Sequence, residues 1–334
     1  MTQHLAVLRE RRRRRLEPLL LSMLLLASGC ARNGMPPGNP EAEESIADLN
    51  TRASFQISNG QLAQAEATLA QVRRILAERP PARRGRNEVQ SWIDEYYYRQ
   101  NLAKLAWQRK QYRAGLPDAE RAWQLERLLR TATANYSSAE FPLTSGGAWA
   151  YVSFLTRVQR YVDALAVFDE LLSNPTEFGK RLRQDRDSAE HALLAGLCIF
   201  FEAGTPDWLE RGRPFLEQVQ GLVPSPSNAE LAFAYASLHA RYGASEEALA
   251  ALDTAVARGF DTSRLALEDD LSSLADHPGF KQLLERTVLK SIRNECRHAG
   301  DVEANVARLA AIYRRIHDPD LIFEQARCYE STTW

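Results

Sequence analysis

The chain has 334 residues, 45% of them hydrophobic and 25% charged, with 42 Lys and Arg against 43 Asp and Glu and a formal net charge of −1. That is enough apolar material for two or three compact domains or one extended repeat array. The evenly mixed charge argues against nucleic acid as a partner.

At the N-terminus six arginines, Arg9 and Arg11 to Arg15, precede an apolar run from Leu19 to Gly29 that closes on the small residues Ala27, Ser28 and Gly29. A basic region, an apolar region and a small-residue end form an export signal. The run is too short to cross a bilayer as a helix, which takes roughly 20 residues. Leu26-Ala27-Ser28-Gly29-Cys30 resembles the lipobox of a bacterial lipoprotein precursor, with Ala27 where leucine is usual. The resemblance implies that residues 1–29 are a removable signal peptide and that Cys30 becomes the lipidated first residue. The alternative is an ordinary secretory signal in which Cys30 has no role. Several acyl chains anchor far more firmly than one, so the expectation is a tethered protein. Ala31 stands where, in the same resemblance, an aspartate would hold the protein at the inner membrane. This implies the periplasmic face of the outer membrane. Loss of residues 1–29 removes six arginines and two glutamates, leaving 36 basic and 41 acidic residues, a net of −5.

Residues 30–44 read as a flexible tether, since the stretch to Pro40 is rich in Asn, Gly and Pro and lacks apolar periodicity. Beyond it Ala, Leu, Arg and Glu dominate and apolar residues recur at spacings of three and four, which predicts an all-α protein of about fourteen helices. Breaks are expected at Arg79-Pro80-Pro81, from Ser137 to Gly147, at Asn174-Pro175, at Gly204-Thr205-Pro206 and from Val223 to Ser227. No segment after the signal is apolar enough to span a membrane.

One pattern recurs. Ala65, Leu69 and Val72 follow Gly60; Ala164, Phe168 and Leu171 precede Asn174-Pro175; Ala248, Leu252 and Ala255 follow Gly243. Weaker copies are Gly115, Ala119 and Ala122 after Tyr112, and Gly212, Leu216 and Val219; another is Asn305, Leu309 and Ile312 after Gly300. A small residue followed by larger apolar ones on the same face is what the close packing of two helices in a hairpin requires.

Ala164-x3-Phe168 with Pro175 resembles the second helix of the tetratricopeptide repeat, whose pattern is W-x2-L-G-x2-Y, then A-x3-F, then proline. The first-helix slots hold Ala148, Tyr151, Val152 and Leu155, and later Ala232, Tyr235, Ala236 and His239. The resemblance implies an irregular tetratricopeptide-like helical-hairpin solenoid over residues 45–258. The small anchors recur at intervals of 50, 49, 48, 36 and 57. Only one interval approaches the usual 34, so longer helices or loops are expected. Ala255-Val256-x2-Gly259-Phe260, Asp269-Asp270-Leu271 and His277-Pro278-x-Phe280 resemble the segment that follows the last repeat in bacterial repeat proteins. Residues 259–334 are accordingly expected to be capping helices with a partial repeat from Leu321 to Tyr329.

Catalytic signatures are absent from the sequence: no phosphate loop, no G-x-G-x-x-G, no H-E-x-x-H and no paired C-x-x-C. The histidines are scattered singly; His191 and Glu190 beside Arg186-Asp187 read as a capped helix start. Asp269-Asp270 reads as helix-start carboxylates. Cys198 reads as a buried small hydrophobe, and pairing of Cys296 with Cys328 stays open. No enzyme activity, cofactor or metal is expected. In the family resembled, the first helices line a concave face, and its inward slots fall on Tyr97, Lys104 and Trp107, then Trp149, Ser153 and Arg157, then Phe233 and Arg241. Aromatic residues and arginine are the side chains that make binding hot spots. The expected function is a lipid-anchored adaptor or scaffold at the bacterial envelope. It docks a peptide segment or helix of an envelope protein, as an assembly factor for outer-membrane or secretion machinery would. The alternative is a small-molecule-binding periplasmic component of a transport system.

Overall fold

Ala, Leu, Glu and Arg are strong helix formers. In the computed structural model, which describes residues 44–79, 86–133, 146–262, 265, 268–289, 307 and 309–310, they build an all-α protein. Among the described residues there are twelve α-helices and one 3₁₀-helix. The signal segment, Cys30, the tether through residue 43, Cys296, Cys328, the anchor at Asn305 and the segment from Leu321 lie outside them. The described helices form two compact units divided at Leu222 and Val223.

The first unit contains α1 (Ile46–Ser58), α2 (Leu62–Glu78), α3 (Arg86–Gln108), α4 (Tyr112–Thr133), α5 (Gly146–Arg157), α6 (Tyr161–Leu172), α7 (Pro175–Gln184), α8 (Arg186–Ala203) and α9 (Pro206–Leu222). Neighbours pack on neighbours: α1 on α2, α3 on α4, α5 on α6, and the first helices in series, α1 on α3, α3 on α5 and α5 on α8. The long anchor intervals come from helices of 23 and 22 residues, α3 and α4, and from the extra helix α7. Pro175 and Pro206 each open a helix, where a missing N–H costs nothing because the first turn has no intrahelical acceptor for it.

The small anchors sit where helices approach. Ala65, Ala164 and Ala248 are fully buried. A Cβ on Gly115 would lie 2.6 Å from both Ala106 and Phe154, and one on Gly196 would lie 2.2 Å from the Phe168 ring. The break expected to reach Gly147 is shorter than that, because Gly146 and Gly147 belong to α5. Their role is close approach: a Cβ would lie 2.0 Å from Gln100 Nε2 at Gly146 and 2.6 Å from Glu126 Oε2 at Gly147.

The hairpin turns share one geometry. The N–H groups of Gly60 and Gln61 donate to Ile57 and Gln56, those of Lys110 and Gln111 to Trp107 and Ala106, and those of Gln159 and Arg160 to Thr156 and Leu155. This crossed pair is the Schellman ending, and its penultimate residue must be left-handed. Gly60 has φ 72°, Lys110 58° and Gln159 65°. The turns set a common register for α1, α3 and α5.

The second unit contains α10 (Ala229–Arg241), α11 (Ser245–Ala257), a 3₁₀-helix (Asp269–Leu274) and α12 (Pro278–Leu284), continued by a wider turn to Leu289. Asn228 caps α10 by accepting from the N–H groups of Glu230 and Leu231, and its hairpin ends on Gly243 with φ 75°. Phe260, Leu265, Leu271, Leu274 and Phe280 close over Ala232, Phe233 and Leu252 in one apolar cluster.

Left-handed backbone costs a residue with a Cβ about 1–2 kcal/mol. Lys110→Gly and Gln159→Gly are therefore each expected to stabilise the first unit by about 1 kcal/mol, after glycine's greater freedom in the unfolded chain is subtracted. Urea midpoints measured by circular dichroism check this, and a lowered midpoint for both variants would contradict it.

Candidate functional site

Counting back from the left-handed turn residues places equivalent side chains on successive first helices. Ten residues before Gly60, Lys110 and Gln159 stand Asn50, Gln100 and Trp149; six before them stand Ser54, Lys104 and Ser153. Lys104 and Ser153, both singled out by the sequence, thus hold the same position on the packed helices α3 and α5. Lys104 is only 4% exposed, and no carboxylate among the described residues pairs with it. Burial alone pushes its ammonium down to about 8. Trp149 Nε1, Ser153 Oγ and Asn50 Oδ1 are also buried and have no hydrogen-bond partner among the described residues. Buried polar groups are nearly always satisfied, and one left unmet costs about 1–3 kcal/mol.

The other sequence-selected residues of the first unit have partners. Trp107 is buried between Tyr112 and Phe154, with ring centroids 4.9 and 5.2 Å away. The Arg157 guanidinium lies 5.8 Å from both the Trp107 and Tyr112 rings and pairs with Glu202 at 3.0 Å. Trp107 and Arg157 are thus brought together, while Trp149 lies against His191 at 5.9 Å. Tyr97 is half-buried, edge-on to Tyr96 at 5.1 Å. In the second unit Phe233 stacks on Phe260 at 4.2 Å, and Arg241 pairs with Asp270. The carboxylate of the acidic pair is therefore held by an arginine of α10.

Every residue of α5 is buried, so Trp149, Ser153 and Arg157 lie beneath the surface in this structure. An open cleft lies at the ends of these helices, beside Arg157. Lys110, Gln111, Tyr112, Arg113 and Ala114 from the α3–α4 turn and Arg157, Val158 and Gln159 from the α5–α6 turn line a space of about 550 Å³. Apart from Arg157 these residues escaped the sequence reading. The signal for two of them was the residue type at the turn, lysine and glutamine where the α1–α2 and α10–α11 turns carry glycine.

Among the described residues no cluster of three or more His, Cys, Asp or Glu is placed to hold a metal ion, and no helix is long and apolar enough to cross a membrane.

Lys104 makes stability depend on pH with a definite sign. Its folded pKa, about 8, lies below the ordinary lysine value of about 10.4, so between these values the unfolded chain binds more protons and stability rises with pH. Below pH 8 both states are protonated and the full penalty, on the order of 3 kcal/mol, is present. Lys104→Met should therefore stabilise the first unit at pH 7, and the gain should vanish as pH rises through 8 toward 10. Denaturation midpoints at pH 7 and 10 check this; an equal or reversed effect at the two pH values would exclude a charged, unpaired Lys104.

Compared with known proteins, the chain matches no family model, no curated protein and no solved structure.

Proposed function

We propose that the chain is a non-enzymatic adaptor whose first helices dock a segment of a partner protein, on a tetratricopeptide-like array of hairpins held at the envelope by lipid on Cys30. The observation that carries this reading is a set of buried groups on the adjacent helices α3 and α5: Trp149 Nε1 and Ser153 Oγ, which have no hydrogen-bond partner among the described residues, and Lys104, 4% exposed and with no carboxylate paired to it among them. A polypeptide segment supplies what they lack: carbonyl oxygens for the ammonium and the indole N–H, and either partner for the hydroxyl. Because Trp149 Nε1 and Ser153 Oγ are shielded from water in the free chain, docking requires this face to open. Association that needs such a change is slow relative to rigid docking.

Stacked hairpins suit this role because they present successive first helices in one register, so that a single segment meets several equivalent positions. Anchorage at Cys30 confines encounters to a surface and raises the effective concentration of envelope partners. Within this class, assembly of outer-membrane or secretion machinery is the expected task.

A photoreactive residue placed at Tyr97, and separately at Lys104, of the full chain in cells tests the proposal, with Cys30→Ala as the anchor control. The same one or two envelope proteins should be captured from both positions and depleted several-fold in Cys30→Ala. Adducts that form equally well from Arg74, an exposed residue on α2, would refute docking on the first-helix face.

A further inference from the structure

Among the described residues, only Lys110 and Gln159 combine a side chain with a left-handed backbone, and both line the cleft between the α3–α4 and α5–α6 turns. At the same point of their turns the α1–α2 and α10–α11 hairpins carry Gly60 and Gly243. The strain is thus accepted at two positions that line one space. Sparsely populated backbone conformations cluster at ligand sites for this reason.

The chemistry of the walls is one-sided. Lys110, Arg113 and Arg157 are cationic, Gln111 and Gln159 bring amide donors, and none of the described lining residues is acidic. Arg157 is fixed in place by Glu202 and by the rings of Trp107 and Tyr112, so its guanidinium is buried beneath the cleft with its charge compensated. Lys110 and Arg113 are exposed at the rim. A volume of about 550 Å³ lies within the range of small-molecule sites.

We propose that this cleft binds a phosphate group, with Lys110 and Arg113 as its charged partners and the Gln159 amide completing the opposite wall. A phosphate offers three acceptor oxygens and between one and two negative charges, which matches donors arriving from two separate turns better than a single carboxylate does. Charge-assisted bonds from arginine and lysine to phosphate are the strong class of hydrogen bond. The site borders the first-helix face at Arg157, but its charged partners Lys110 and Arg113 lie outside that face, and it stands independently of the adaptor reading. A phosphate can come from a free small molecule or from a lipid headgroup.

The full chain, isotope-labelled in a phosphate-free detergent, is titrated with inorganic phosphate at constant ionic strength while amide resonances are followed. A parallel titration uses monomeric short-chain phosphatidylglycerol. Saturable shifts confined to Lys110–Ala114 and Arg157–Gln159 are expected, at least tenfold weaker in Lys110→Gly/Arg113→Gln and unchanged in Arg74→Gln. Arg113→Gln alone, which leaves the turn backbone untouched, should weaken binding several-fold, so a refolded turn is separable from a lost contact. Tighter saturation by phosphate identifies a free ligand, and tighter saturation by the lipid identifies a headgroup. Shifts that do not saturate with either probe, or that persist in the double variant, overturn the proposal.

Discussion

The close approach of helices at glycine and alanine is the constraint on which the rest of the structure depends. Gly196 leaves room for the Phe168 ring, and Gly115 for Ala106 and Phe154. With larger residues at these points the hairpins would separate, and overpacking of this kind typically costs 1–3 kcal/mol. Because the helices pack at these anchors and end in the same crossed turn, α1, α3 and α5 share a register, and a residue's distance from the turn decides its place. Trp107, Phe154 and Phe168 fill the interior because this register leaves them no other direction.

Against that apolar frame, buried polar groups divide into two kinds. Glu126 is fully buried yet well served: it accepts from the Ala148 N–H at the start of α5 at 2.9 Å and pairs with Arg130 and Arg181. It ties α4, α5 and α7 together. Lys104, Trp149 and Ser153 occupy the same kind of environment without such service. Glu126 and Lys104 are both buried in one unit, so burial by itself does not decide whether a charged group finds partners there. A stabilising methionine at Lys104 would remove one of these buried groups and, under the docking proposal, weaken binding, a trade commonly seen where function maintains a destabilised site.

Much of the fold was legible in the sequence. The all-α class, the small anchors and the breaks at Asn174-Pro175 and Gly204-Thr205-Pro206 follow from local rules of propensity, periodicity and turn chemistry. Gly146 and Gly147 misled, because glycine reads locally as a break while here it answers a neighbour, Gln100 or Glu126, distant in sequence. The candidate residues were legible only by type. That Trp107 would be sandwiched by Tyr112 and Phe154, that Arg157 would be held by Glu202 and that Arg241 would be held by Asp270 depends on tertiary packing that no local window contains. The cleft was hidden for a different reason: its residues are polar turn residues of ordinary appearance, and their meaning comes from comparing one turn with its siblings.

The central claim is that the first helices α3 and α5 form a docking face for a partner segment. The most direct measurement is amide hydrogen exchange of the full chain, alone and with a captured partner. The account predicts slower exchange on binding, concentrated in residues 97–107 of α3 and 149–157 of α5. Slowed exchange confined to α2, α4 and α6, with α3 and α5 unchanged, would contradict it.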